Sequence, residues 1–247
     1  MTMLLSLALL CGVAQDPEKL QTVEEFGLRI APGFMITLVA DHTLANDIYA
    51  MTLDAKGRIV VTSQGWIKIL EDRNGDGKAD EASLFAPTRT GGMGMCFDGN
   101  DLLFSGDGGL WRYRDADGDG KADGPPELIT KYVTGEHGHH AMRKGPDGCW
   151  YLIGGNEMGI GAVKLTDPAT SPVKSPAWGS IVRYSPDFKQ VEVIAHGFRN
   201  PYDFDFNPAG DLFTYDSDCE RDYFLPWYTP TRIYHVGYAQ DHGWRHP

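Results

Sequence analysis

The chain has 247 residues, 42% of them hydrophobic and 11% aromatic, enough to bury a substantial core and too apolar for a disordered segment. Thirty glycines and fifteen prolines, without long Leu, Ala, Glu or Lys runs, predict many short strands and exclude a helical bundle. A net charge of −12 with no basic stripe excludes nucleic acid as a partner and favours cations.

In chain order, Leu4–Leu10 is an apolar run followed by Cys11-Gly12-Val13-Ala14, with small residues where a signal peptidase would cut after Ala14. Residues 1–14 therefore read as an export signal, which places the mature protein in the periplasm or outside the cell. The run is too short to span a bilayer, and no later segment approaches the roughly 20 apolar residues of a membrane helix. Cleavage would leave Cys96, Cys149 and Cys219, none in a CxxC or CxxCH arrangement, so neither zinc nor attached haem is expected. Cys96 and Cys149 read as small buried strand residues. Residues 15–33 form a lead-in, and the main domain, 34–247, opens with a predicted strand at Phe34–Ala40.

A turn followed by a β-rich strand then recurs four times: Asp54–Gly65, Asp98–Gly108, Pro146–Asn156 and Pro208–Asp216. The first two starts are 44 residues apart, a period that suits one blade of a β-propeller. Later spacings are longer, the last stretched by an insertion at Glu157–Trp178. Behind the turn-strand units come strands carrying a basic residue (Trp66–Leu70, Leu110–Arg114, Ile181–Tyr184). A fourth, apolar strand closes three of the units (Ser83–Phe85, Glu127–Thr130, Val191–Ala195). The expected fold is all-β: four-stranded antiparallel blades, about four of them, forming part of a six-bladed propeller. No strand near Gly243–Pro247 is placed to return to Phe34–Ala40, so the chain reads as part of a longer propeller or as one whose remaining blades lie elsewhere, with a closed four-bladed ring as the alternative.

Two loops of one pattern sit between third and fourth strands. Asp72-Arg-Asn-Gly-Asp-Gly-Lys-Ala-Asp80 and Asp115-Ala-Asp-Gly-Asp-Gly-Lys-Ala-Asp123 put oxygen side chains at loop positions 1, 3, 5 and 9 and glycine at 6. Calcium requires hard oxygen donors on a tight turn. The expected ligands are Asp72, Asn74, Asp76, the Lys78 carbonyl and Asp80, and in the second loop Asp115, Asp117, Asp119, the Lys121 carbonyl and Asp123. The bidentate Glu of an EF-hand is missing and the flanks are strands, so these are hairpin loops whose calcium would be structural.

The third repeat is preceded by Glu136-His-Gly-His-His140. In a propeller, the segment entering an innermost strand lies beside the central channel, so His137, His139 or His140 could face a ligand there. A neutral imidazole suits a general base or a metal ligand. Further on, Asp216, Asp218, Glu220 and Asp222 alternate, so an extended strand would turn all four acids to one side. A calcium ion near the channel would relieve their repulsion, the alternative being a solvated strand end with Arg221 and Arg232 nearby.

The run His137-Gly-His-His-Ala-Met-Arg-Lys-Gly-Pro-Asp-Gly148, with Gly197-Phe-Arg-Asn-Pro201 and Gly243-Trp244, resembles the soluble PQQ-dependent glucose and sorbosone dehydrogenases, PQQ being pyrroloquinoline quinone. It is more similar still to a bacterial family of membrane-bound dehydrogenase domains. The resemblance covers roughly residues 25–247. It implies His137 as the base that removes a substrate hydroxyl proton, with Arg199 and Asn200, and by position His139 and His140, at the cofactor. It also implies a sugar or other alcohol as substrate and an electron acceptor such as a cytochrome c. Asn156 stands where those enzymes carry the Asp that orients the base. Their Gly-Pro calcium loop is replaced by Asp216–Asp222. Two other readings stay open: a calcium-dependent lactonase or esterase, and a non-catalytic module stiffened by calcium.

Overall fold

The computed structural model describes residues 19–133, 135–217 and 231–245. The expected export signal lies outside them. Two compact units are present, residues 1–39 and 40–247. In the first, β1 (Gln21–Val23) and β2 (Leu28–Ile30) form an antiparallel hairpin with Gln21 opposite Ile30. The strand expected at Phe34–Ala40 does not form, because these residues have no ladder partner among the described residues.

The second unit is a β-propeller of four antiparallel blades. Blade 1 comprises β3 (Ala50–Leu53), β4 (Ile59–Ser63), β5 (Trp66–Glu71) and β6 (Glu81–Pro87), paired in that order. Blade 2 repeats the pattern with β7 (Gly92–Asp98), β8 (Asp101–Gly106), β9 (Gly109–Tyr113) and β10 (Glu127–Lys131). Blade 3 has β11 (His139–Lys144), β12 (Trp150–Gly154), β13 (Gly179–Tyr184) and β14 (Val191–Phe198), and blade 4 has β15 (Phe204–Phe206), β16 (Leu212–Asp216) and β17 (Arg232–Val236). Each turn-strand repeat seen in the sequence is the turn into a blade's second strand.

One pairing had no sequence signal. The two-residue strand β18 (Gln240–Asp241) comes back from blade 4 and runs parallel to β14, with Ala195 opposite Gln240, as a fifth strand of blade 3. It ties consecutive blades together through the backbone. No helix among the described residues is long and apolar enough to cross a membrane.

Both faces of an inner blade are buried, which is why β8 carries three consecutive apolar residues, Leu102, Leu103 and Phe104. Leu102 and Phe104 point into a cluster with Val60, Ile67 and Ile69 of blade 1. Leu103, one residue out of phase, points to Met142, Leu152 and Val182 of blade 3. A third cluster joins Ile153, Ile181 and Phe198 to Phe204 and Leu212 of blade 4. Leu103 is fully buried. Leu103→Ala is expected to cost about 2–5 kcal/mol in denaturant unfolding, through lost transfer energy and a cavity between blades 2 and 3.

Candidate functional site

The first loop, 72–80, joins β5 to β6, and the second, 115–123, joins β9 to β10. Both adopt one conformation, with the position-6 glycines at φ +85° (Gly77) and +88° (Gly120), where a side chain would be strained. In each, the first Asp accepts backbone N–H groups from across the turn. Asp72 Oδ2 accepts from Gly77 N at 2.8 Å and Asp115 Oδ2 from Gly120 N at 3.1 Å. The Gly77 N–H, with further loop N–H groups, holds the Asp72 carboxyl below its ordinary range.

The loops differ in how their acids converge. Carboxylate oxygens of Asp115, Asp117 and Asp123 lie within 4.8 Å of one another, and Asp115 is buried. That donor set, three hard anionic oxygens around one point, fits calcium. In the first loop Asn74 takes the third position, and its amide donates to Asp80 Oδ1 at 3.3 Å. Asp76 and Asp119 each accept the N–H of the following lysine-position residue, Lys78 and Lys121, at 2.8 Å. Blade 1 braces the second loop: Lys56 Nζ donates to the Gly118 carbonyl at 2.7 Å, and Ala122 N donates to the Phe85 carbonyl at 2.9 Å. The sequence carried no sign of this brace, because its partners are far apart along the chain.

The histidines, Asn156, Arg199 and Asn200 meet at one end of blade 3. His137 Nδ1 and Asn156 Oδ1 are 2.7 Å apart. An amide oxygen only accepts, so Nδ1 is the donor in this bond. Asn156 is held in turn, its N–H donating to the Arg199 carbonyl at 2.7 Å. Gly155 makes this approach feasible: a Cβ there would lie 2.7 Å from the His137 carbonyl and 2.8 Å from that of Arg199.

His139 and His140 are buried and differently engaged. Nδ1 of His139 lies 2.7 Å from Ser105 Oγ, and His140 Nδ1 donates to the Pro201 carbonyl at 2.7 Å. Both border a recess of about 50 Å³ with Gly92, Gly106 and Gly138. Burial, with the neighbouring His140, pushes the His139 pKa down from 6.5 to about 4. Burial also lowers His140, against an opposing pull from the Pro201 carbonyl. The unfolded chain therefore takes up a proton at His139 before the folded one does. Stability is expected to be complete above pH 6.5 and to fall as pH drops through 4, by up to about 3 kcal/mol from this group. Unfolding midpoints in denaturant between pH 7 and 4 measure it, and His139→Gln should flatten the profile.

Asp216 sits behind Arg199 and Asn200. Its two oxygens accept the N–H groups of Arg199 and Asn200, each at 2.7 Å. Burial raises its carboxyl pKa, and these two N–H groups work against the rise. This clamp fixes the Arg199-Asn200 backbone. Asp218, Glu220 and Asp222 lie outside the described residues. Arg199 is buried and donates from Nη1 to Ser217 Oγ at 2.9 Å. Asn200 Oδ1 is buried and has no hydrogen-bond partner among the described residues. An unpaired buried acceptor of this kind is costly unless a ligand donor or cation meets it.

A cavity of about 140 Å³ lies between the first strands of blades 1, 2 and 3 and the segment leading into β15, its wall including Thr52, Cys96, Arg143, Tyr202 and Asp203. Arg143 and Asp203 form a two-point ion pair there, at 3.1 and 2.7 Å. Tyr202 Oη reaches the Tyr49 carbonyl of blade 1 at 2.7 Å.

Over residues 24–235 the sequence matches a family described as a domain of unknown function, DUF7133. The chain belongs to that family. No curated protein matches it. Among solved structures, the DUF7133 chain is similar to the PQQ-bound aldose sugar dehydrogenase of Streptomyces coelicolor, with a TM-score of 0.56 at 16% identity over 81% of this chain and 63% of that one. It is similar also to the holo PQQ domain of pyranose dehydrogenase from Coprinopsis cinerea, with a TM-score of 0.57 at 13% identity over 78% of this chain and 51% of that one. A third neighbour is the calcium-binding protein regucalcin from Agrobacterium tumefaciens, with a TM-score of 0.51 at 13% identity over 78% of this chain and 62% of that one. The DUF7133 chain thus spans less than two thirds of the length of each neighbour. At these identities the likeness is one of fold alone, that of a β-propeller.

Proposed function

We propose that this protein is an exported, calcium-binding, PQQ-dependent dehydrogenase of a sugar or other alcohol, with His137 as its general base. The observation that carries the reading is the 2.7 Å bond between His137 Nδ1 and Asn156 Oδ1, which holds the ring and leaves Nε2 outside that bond. A second polar side chain that orients a base favours proton abstraction.

Asn200, through its unpaired buried Oδ1, and Arg199, through its guanidinium, would hold the cofactor. A guanidinium matches the carboxylates and quinone oxygens of PQQ. Bound PQQ would supply a two-electron acceptor for the hydride of the substrate carbon. His137 Nε2 takes the hydroxyl proton, and Asn156 keeps the ring aimed. Asp216 and the Asn156 N–H keep the Arg199-Asn200 segment in register with the base. Buried and neutral, His139 and His140 support the wall of the recess. The two nine-residue loops bind calcium as blade staples, Asp115, Asp117 and Asp123 forming the better site.

The test is dye reduction by the purified chain supplied with PQQ and calcium, across monosaccharides, disaccharides and simple alcohols. Sugar-dependent reduction that needs PQQ supports the proposal. Hydrolysis of lactones without added cofactor, in place of dye reduction, would overturn it in favour of a lactonase.

A further inference from the structure

Blade 3 differs from its neighbours in the insertion at 157–178, which folds over the outer edge of β14. Thr166 N donates to the Val191 carbonyl at 3.0 Å and Val173 N to the Val193 carbonyl at 3.2 Å, while the Thr166 hydroxyl accepts the Val191 N–H at 2.7 Å. Between the insertion, the start of β14 and the 185–190 turn lies a cavity of about 410 Å³. Small-molecule sites usually measure about 300–1,000 Å³. The cavity reaches Cys149, which precedes β12, and so lies at the opposite end of that strand from Asn156.

Its chemistry is acidic. Asp167 comes from the insertion and Glu192 from β14, and Arg183 is the cation among the described residues that line it. That guanidinium is already engaged. Nε and Nη2 donate to Asp147 Oδ2 at 2.9 and 2.6 Å, and Nη1 donates to Glu192 Oε1 at 2.5 Å. Asp147, Glu192 and Asp167 thus outnumber one guanidinium, an excess of negative charge that repels an anionic ligand. Lys189, on the neighbouring turn, pairs with Asp187 at 3.1 Å. Acceptors remain unused. Glu192 Oε2, Asp167 Oδ2 and the Gln190 side-chain amide have no hydrogen-bond partner among the described residues. Cys149, Pro186 and Val191 give the rest of the wall an apolar surface, and no aromatic ring lines it on which a pyranose could stack.

We propose that this cavity binds a small aliphatic diamine or polyamine. An alkylammonium group carries donors and no acceptor, the complement of unused carboxylate oxygens, and its N–H···O bonds are charge-assisted. An acid on the insertion and another on β14 suit two cationic ends, with the methylenes between them against the apolar wall. The site stands whether or not the chain is a dehydrogenase.

Calorimetric titration of the full chain, calcium-loaded and at physiological salt, with putrescine, spermidine, n-butylamine and glutarate tests this. Saturable one-to-one binding of putrescine or spermidine is expected, at least roughly tenfold tighter than n-butylamine, with no binding of glutarate. Glu192→Gln keeps an oxygen for Arg183 Nη1, and Asp167→Asn keeps one for the Ala169 N–H, so each removes charge with little effect on Tm. Each should weaken the diamine roughly tenfold or more. Asp167 is exposed, so its variant keeps the test available if Glu192→Gln lowers Tm. Asp115→Ala should leave the affinity unchanged, which separates the cavity from the calcium loops. No saturable binding of either amine, equal affinity for putrescine and n-butylamine, or wild-type affinity in Asp167→Asn overturns the proposal.

Discussion

His137→Ala is expected to lower PQQ-dependent turnover about 10²- to 10⁴-fold, the usual worth of a positioned base. His137 is half-buried and lies just before β11, so its removal should leave blade packing and the unfolding midpoint nearly unchanged. Two companion variants test whether the orienting bond matters in its own right. Asn156→Ala frees the imidazole to rotate and should cost part of that factor. Asn156→Asp puts a carboxylate against Nδ1–H, stabilises the imidazolium formed on proton abstraction, and should equal or exceed wild type. Steady-state rates over a pH series distinguish these outcomes: Asn156→Asp should move the acidic limb, where the base becomes protonated, to higher pH, whereas a variant that merely perturbed folding would scale the whole profile. Wild-type rates in His137→Ala would remove the base from the proposed mechanism.

Calcium withdrawal should have the largest effect on stability. An ion that binds only the folded loop contributes RT ln(1 + [Ca]/Kd), about 2.7 kcal/mol per site at a hundredfold excess over Kd. For a domain of this size that is about 5–10 °C in Tm per occupied site. EDTA is therefore expected to lower Tm by at least that amount, with recovery on adding calcium and little response to magnesium. Most of the effect should vanish in Asp115→Ala and less of it in Asp72→Ala. The asymmetry follows from geometry: of the two loops, only the second brings three carboxylates together, at 115, 117 and 123, and that loop is bonded to Lys56 and Phe85 of blade 1. An ion there also stiffens the contact between blades. Scanning calorimetry of the wild type and both variants, with and without chelator, measures this, and an unchanged Tm in EDTA would show that neither loop is a staple.

How much of this was legible beforehand depended on the range of the interaction. Turns such as Asp54–Gly57 and strands such as Leu102–Gly106 declare themselves locally, by glycine at positive φ and by an apolar run buried on both faces. The nine-residue loops are local as well, and their hairpin positions could be read directly. Phe34–Ala40 misled for the complementary reason: its apolar composition suits a strand, but a strand needs a partner, and composition does not supply one. The return of Gln240–Asp241 to β14 depends on a two-residue contact with a distant segment, which leaves no periodic trace. Asp216 shows the same limit at the site. Its alternation with later acids pointed to a cation, while its carboxylate in the fold accepts two backbone N–H groups. The His137–Asn156 contact became legible only through resemblance, since nothing in the spacing of a histidine and an asparagine 19 residues apart dictates a bond.

Equilibrium titration of the calcium-loaded chain with PQQ, read by the cofactor's absorbance, tests the proposed cofactor site most directly. Saturable one-to-one binding is expected, weakened roughly tenfold or more by Arg199→Ala and by Asn200→Ala. Absence of saturation, or equal affinity in both variants, would contradict the assignment of these residues to a quinone site.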